Sequence, residues 1–196
     1  MSAYPPSIAG EVLEFILAGN QRFQTGKFEN PASNVERRKE TVEAQHPFAA
    51  VLCCSDSRVP PELVFDKRLG DLFVVRNAGN VLDDVAIGSL EYAVDHLGVP
   101  LIVVLGHEKC GAVTAAVQGG HAPGHIGSII HRLQPAVAAT RGQPGDAVLN
   151  AALANVRAGV AAIQAAEPIL AGAVKSGQVR VVGGLYHLDT GGFELI

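Results

Sequence analysis

The chain contains no tryptophan, and only three of its 196 residues are cysteines. An odd and small number of cysteines gives little basis for a disulfide framework. In a reducing compartment, cysteines are more often metal ligands or nucleophiles than disulfide partners. Cys53, Cys54 and Cys110 are therefore the first candidates for chemistry.

Long apolar runs are also missing, the basic residues stand beside acids, and we expect the first residues not to be a secretory signal. No apolar run approaches the ~20 residues that span a bilayer, and Glu11 and Glu14 interrupt the apolar residues near the N-terminus. The formal net charge is -4, and the basic residues 37–39 stand beside acids. We therefore expect a soluble, cytoplasmic protein that has neither a membrane nor a nucleic acid as a partner.

Four short runs rich in valine, isoleucine and leucine predict buried strands, because a parallel strand that is covered on both faces is apolar throughout. They cover residues 48–54, 71–77, 100–107 and 178–188. Helical patterns separate them, and a helical arm over residues 1–45 precedes the first. The alternation predicts one α/β domain over residues 1–196, flanked by helices, with a mainly parallel four-stranded sheet of order 2-1-3-4. The C-terminal "GGFELI" predicts an additional antiparallel edge strand.

Two of these strands end in reactive side chains. The first runs into "CSDSR" and the third into "GHEKC". In an extended chain alternate residues share a face, so Cys54 and Asp56 point one way and Cys53 the other. His107 and Cys110 are separated by two residues, so a turn can bring both side chains to one ion. Because ligands of such sheets bind beyond the carboxyl ends of the strands, these groups are predicted to meet there.

This set of donors suits a zinc ion, since thiolates and imidazole bind a borderline-soft cation and three protein ligands leave one position for water. Alternatives are a buried structural cysteine, a structural zinc site with four protein ligands, a nucleophilic Cys54 assisted by His107, and a redox dithiol of Cys54 and Cys110. Arg58 argues against a purely structural site and against the nucleophile. Its guanidinium would hold Asp56 ionised and away from the metal.

The paired motifs "CSDSR" and "GHEKCGAV" resemble those of the β-class carbonic anhydrases, and the likeness extends from about Ile8 to the C-terminus. The resemblance implies one zinc ion per chain, held by Cys54, His107 and Cys110. It implies Asp56 and Arg58 as a catalytic dyad, with Asp56 as a fourth metal ligand in a closed state. The implied reaction is the reversible hydration of CO2 to bicarbonate and a proton, by attack of zinc-bound hydroxide. Hydrolysis of carbonyl sulfide or carbon disulfide at the same site is the alternative.

Further positions are similar to the plant-like members of that family, in which the substrate pocket lies at a dimer interface. The likeness implies that Gln45, Phe73 and Tyr92 contact the substrate. It also implies a homodimer or a dimer-based homo-oligomer, with the arm of residues 1–45 packing on a partner subunit.

One regulatory feature of the family is not expected. Members with an allosteric bicarbonate site carry a tryptophan where this chain has Val51. Arg76 and Tyr186 resemble other members of that site, but without the tryptophan the site is incomplete.

Overall fold

Five strands form one sheet in the computed structural model, which describes residues 8–30 and 35–196. They are β1 (Ala49–Cys54), β2 (Leu72–Asn77), β3 (Leu101–His107), β4 (Arg180–Tyr186) and β5 (Phe193–Leu195). The order is β2-β1-β3-β4-β5, in which the first four strands are parallel and β5 is antiparallel to β4. The predicted order 2-1-3-4 and the antiparallel edge strand are confirmed.

Helices connect and cover these strands. They are α1 (Ala9–Thr25), α2 (Val35–Glu40), α3 (Pro61–Val64), α4 (Asp84–Asp95), α5 (Gly111–Gln118), α6 (Ile126–Ala139), α7 (Ala147–Gln164) and α8 (Leu170–Lys175), with a 3₁₀ turn at Ala78–Asn80. The alanine-rich stretch before β4 forms two helices, α7 and α8. Pro168 lies between them and lacks the N–H that a continuous helix would need.

Apolar layers cover both faces of the sheet. On one face, Ile16 of α1 and Val64 of α3 pack in the same layer as Cys53 of β1. On the other face, Leu90 of α4 and Ile163 of α7 pack against alternate residues of the strands. Because both faces are covered, every residue of β1 and β3 is buried. This accounts for the continuous apolar runs in the sequence.

Helix α7 approaches the sheet closely because two facing strand positions have no side chain. A Cβ atom added at Gly183 would lie 2.6 Å from Val156 Cγ1, and one added at Gly106 would also collide with Val156. α7 is the one described helix that is long and apolar enough to cross a membrane by length and composition. Core helices pass the same test, and the buried residues of α7 include Val156 and Ile163.

Helix α1, part of the predicted arm, packs on the sheet of its own chain. Its Val12 and Ile16 are fully buried. Asn20 Nδ2 donates hydrogen bonds to the carbonyls of Val64 at 3.0 Å and Gly191 at 2.8 Å. This helix therefore completes a layer of the domain. Residues 1–7 and 31–34 of the arm lie outside the described residues, and packing of the arm on a partner subunit stays a prediction.

Candidate metal centre

The three predicted metal ligands meet at the carboxyl ends of neighbouring strands. Cys54 is the last residue of β1, His107 is the last residue of β3, and Cys110 directly precedes α5. All three are buried, and their ligand atoms lie within 4.8 Å of one another. Lys109 adopts a left-handed conformation with φ 49°, which reverses the chain between His107 and Cys110. The two motifs thus form one cluster.

The donor atoms of this cluster fit a single zinc ion. Cys54 Sγ lies 3.9 Å from Cys110 Sγ. Two thiolates bound to one tetrahedral zinc at about 2.3 Å would lie roughly 3.8 Å apart. The agreement supports one ion shared by both sulfurs.

The His107 ring presents its second nitrogen to the same space. Its Nδ1 lies 2.8 Å from the carbonyl oxygen of Glu108. A carbonyl only accepts, so Nδ1 carries the proton and Nε2 keeps a free lone pair. Nε2 is buried and has no hydrogen-bond partner among the residues that the structure describes. A buried nitrogen left in this state is costly, and a metal ion that takes its lone pair would remove that cost.

The pKa values of the two ligand thiols shift in opposite directions. The Cys110 thiol and the N–H of Gly79, which lies 3.3 Å from Cys54 Sγ, both stabilise a Cys54 thiolate and lower the pKa of Cys54. The same contact with Cys54, together with burial, raises the pKa of Cys110. A second negative charge beside the first thus requires a cation between them.

Cys53 faces away from this cluster, as strand alternation predicted. It lies in the apolar layer beneath α1 with Val51 and Leu105, whereas Cys54 packs with Cys110 and Val81. Burial raises the pKa of Cys53 to about 12, so this thiol stays protonated.

Arg58 holds Asp56 at the edge of the cluster. Its Nε donates to Oδ1 at 3.0 Å, its guanidinium NH2 donates to Oδ2 at 2.8 Å, and its backbone N–H donates to Oδ1 at 2.9 Å. These bonds lower the pKa of Asp56 to about 2. Asp56 Oδ2 lies 4.0 Å from His107 Nε2. The predicted dyad therefore stands beside the ligands, and the closed state with Asp56 as a fourth ligand stays a prediction.

Two supports of the site have roles that the sequence reasoning missed. Arg76 of β2 donates from Nε to the carbonyl of Cys54 at 3.0 Å and from NH2 to the carbonyl of Asp56 at 2.8 Å. Gly79 supplies the N–H that contacts Cys54 Sγ. Arg76 could have been noticed as a cation inside an otherwise apolar strand, but its carbonyl partners leave no pattern in the sequence.

The predicted substrate contacts lie apart from the metal centre of their own chain. Gln45 is exposed ahead of β1, and Phe73 pairs with Ala50. Ala50 lies four strand positions before Cys54, a distance of about 13 Å. Tyr92 of α4 is 45% exposed, and its ring centroid lies 6.2 Å from that of Phe73. Contact of these three residues with substrate would require a partner subunit and stays a prediction.

Comparisons with known proteins agree with this geometry. Residues 49–193 match the family model described as carbonic anhydrase. A carbonic anhydrase of Mycolicibacterium smegmatis is 42% identical over 181 residues, which are 90% of this chain and 88% of that protein.

Solved structures of β-carbonic anhydrases have the same fold as this chain. One of two tetrameric β-carbonic anhydrases of the ascomycete Sordaria macrospora has a TM-score of 0.75 and 26% identity, over 91% of this chain and 90% of that one. The Coccomyxa β-carbonic anhydrase in complex with acetazolamide has a TM-score of 0.72 and 30% identity, over 81% of this chain and 75% of that one.

Proposed function

Because the chain belongs to the carbonic anhydrase family, and within it to the β class, we propose that it hydrates CO2 reversibly at a zinc ion held by Cys54, His107 and Cys110. The products are bicarbonate and a proton. The observation that carries the proposal is the buried Cys-His-Cys cluster with the Asp56–Arg58 pair at its edge. A structural zinc site would have no use for such a pair.

Each side chain of the centre has a distinct task. A bound zinc ion would supply Lewis acidity, which makes water a nucleophile near neutral pH. The Asp56 carboxylate is kept ionised by Arg58, so it accepts a hydrogen bond from the attacking water and orients it. Arg76 fixes the backbone on both sides of Ser55 and thereby the relative positions of Cys54 and Asp56.

An oligomer would complete the substrate pocket. The Sordaria relative is described as tetrameric, and we propose a homodimer or a dimer-based assembly for this chain. The paired rings of Phe73 and Tyr92 from one subunit would give an apolar wall for uncharged CO2 near the metal centre of its partner. Gln45 would add an amide N–H for a substrate oxygen.

The sulfur analogues of CO2 are not favoured as substrates. The relatives described above are carbonic anhydrases, and no feature of the described residues favours hydrolysis of carbonyl sulfide or carbon disulfide. CO2 and bicarbonate are therefore the proposed substrate and product.

The test is a stopped-flow CO2 hydration assay with the zinc content measured on the same sample. We expect one zinc ion per chain, loss of activity on chelation, and its return when zinc is added. Asp56→Asn keeps the shape of the side chain but removes its charge, and it should retain zinc while hydration slows by about 100-fold. Zinc-loaded protein that hydrates CO2 no faster than buffer would overturn the proposal.

A further inference from the structure

We infer that Glu108 and His187 are positioning residues for the metal ligand His107. The inference depends on the proposed zinc site, but it concerns metal binding and not the rate of CO2 hydration. Both residues lie outside the Cys-His-Cys cluster and outside the Asp56–Arg58 pair. A series of hydrogen bonds connects the turn after β4, through these two residues, to the His107 ring.

Glu108 is the residue after the ligand His107, and its backbone makes the contact with the ligand ring. Its carbonyl accepts the Nδ1 proton of His107 at 2.8 Å. Its N–H donates to the carbonyl of Tyr186 at 3.1 Å, continuing the pairing of His107 with Tyr186. The carbonyl that selects the tautomer of His107 thus belongs to a residue fixed on the end of β4.

The carboxylate of Glu108 is fixed as well. His187 Nδ1 lies 2.9 Å from Oε1, and because a carboxylate only accepts, the ring nitrogen donates. The backbone N–H of Leu188 donates to Oε2 at 3.3 Å. Both oxygens of Glu108 are therefore held by the two residues that follow β4.

His187 is itself fixed within the β4–β5 connection. Its N–H donates to the carbonyl of Gly192 at 2.8 Å, and its carbonyl accepts from the N–H of Gly191 at 2.9 Å. Its second ring nitrogen lies 3.5 Å from Oε2 of Glu194 on the edge strand β5. The ring of His187 therefore has a fixed orientation, and its hydrogen bond fixes the orientation of the Glu108 carboxylate.

This arrangement has a consequence for the metal. Groups that orient a histidine ligand typically change metal affinity by about 10–100-fold when they are removed. Glu108 is held at its N–H, its carbonyl and both carboxylate oxygens, so its peptide cannot rotate without breaking several hydrogen bonds. Without the side-chain bonds the peptide gains freedom, and His107 loses part of its preferred orientation.

The experiment measures zinc affinity by competition with a chelator, and the absorption spectrum of the cobalt-substituted protein, for a set of variants. Glu108→Ala and His187→Ala should each weaken zinc binding by about ten-fold and alter the cobalt spectrum. The double variant should be no weaker than Glu108→Ala alone, because His187 acts through Glu108. Glu108→Gln keeps an oxygen acceptor for His187 and should retain most of the affinity.

Glu14→Ala is the matched control. It removes one negative charge from an exposed side chain of α1 that takes no part in these hydrogen bonds, and it should leave zinc affinity unchanged. Wild-type affinity in Glu108→Ala and His187→Ala, even with lower thermal stability, would overturn the inference and leave a purely structural link. So would additive losses in the double variant. The predicted affinities in a protein without CO2 hydration would instead refute only the proposed function.

Discussion

Arg58 and Asp56 form a two-point contact, with Nε 3.0 Å from Oδ1 and the guanidinium NH2 2.8 Å from Oδ2. The same NH2 group lies 3.3 Å from the carbonyl of Lys109, in the turn that joins the ligands His107 and Cys110. Arg58 therefore connects the two motifs of the site. The direction of the Asp56 carboxylate depends on where the second motif lies.

The first prediction concerns this contact. Arg58→Ala should retain zinc but slow CO2 hydration by about 100-fold, because the carboxylate of Asp56 is no longer directed at the attacking water. Arg58→Lys keeps the charge without the planar fork and should restore only part of the rate. Arg180→Ala, the same change at an exposed position at the start of β4, should have no effect. Stopped-flow rates with metal analysis decide, and a full rate in Arg58→Ala would contradict the proposed role.

The second prediction separates the adjacent cysteines. Cys54→Ala should lose zinc and activity, because one of three ligands is removed. Cys53→Ala should keep both, at a cost of about 1 kcal/mol in the free energy of unfolding for the lost packing under α1. Metal analysis of the two purified variants checks this, and zinc loss in Cys53→Ala with retention in Cys54→Ala would reverse the assignment.

The third prediction concerns Gly79, whose N–H contacts Cys54 Sγ. Gly79 has φ 79°, and an added Cβ would lie 3.1 Å from both Ala112 Cβ and Leu133 Cδ1. Gly79→Ala should therefore destabilise the fold by about 1–2 kcal/mol from the left-handed conformation and by about 1–3 kcal/mol more from crowding. It should also weaken zinc binding, because the N–H moves away from the sulfur.

Gly142 offers a matched comparison for this variant. Its φ is 78°, but an added Cβ would meet nothing within 4 Å. Gly142→Ala should show the conformational cost alone and bind zinc normally. Denaturant unfolding and chelator competition give both quantities, and equal effects of the two substitutions would show that the surroundings of Gly79 do not matter.

The sheet and the metal ligands could be predicted because their signals are local. Continuous apolar runs marked the four parallel strands, and alternation along β1 separated Cys54 from Cys53. The contacts of Arg76 and the link between Glu108 and His187 could not be predicted, because the partners are backbone groups or side chains that lie far away in the sequence. Those contacts depend on the register of β1 with β2 and of β3 with β4, and no spacing in the chain encodes that register.

The fourth prediction concerns Lys67, a fully buried lysine between α1 and the sheet. Its Nζ donates to the carbonyl of Phe15 at 3.0 Å and lies 3.3 Å from the centroid of the Phe15 ring. Burial lowers the pKa of Lys67 to about 8 from its ordinary value of 10.5, and the nearby Arg22 adds to this effect, whereas Asp66, Asp71 and Glu29 oppose it. The native state thus bears a charge that burial disfavours.

The sign of the pH dependence follows from proton binding. Below about pH 8 both states hold the proton, and the surroundings of the ammonium group, chiefly its burial, cost the native state about 3 kcal/mol. Between pH 8 and 10.5 the native state has lost the proton while the unfolded chain keeps it, so the contribution of Lys67 to the free energy of unfolding rises with pH.

Lys67→Met has no such proton. The free energy of unfolding of the wild type minus that of Lys67→Met should therefore rise by about 3 kcal/mol between pH 7 and pH 11. The matched difference for Lys175→Met, an exposed lysine at the end of α8, should stay constant. Denaturant unfolding across this range measures both, and a flat difference for Lys67 would mean that its ammonium is as well stabilised beside Phe15 as it is in water.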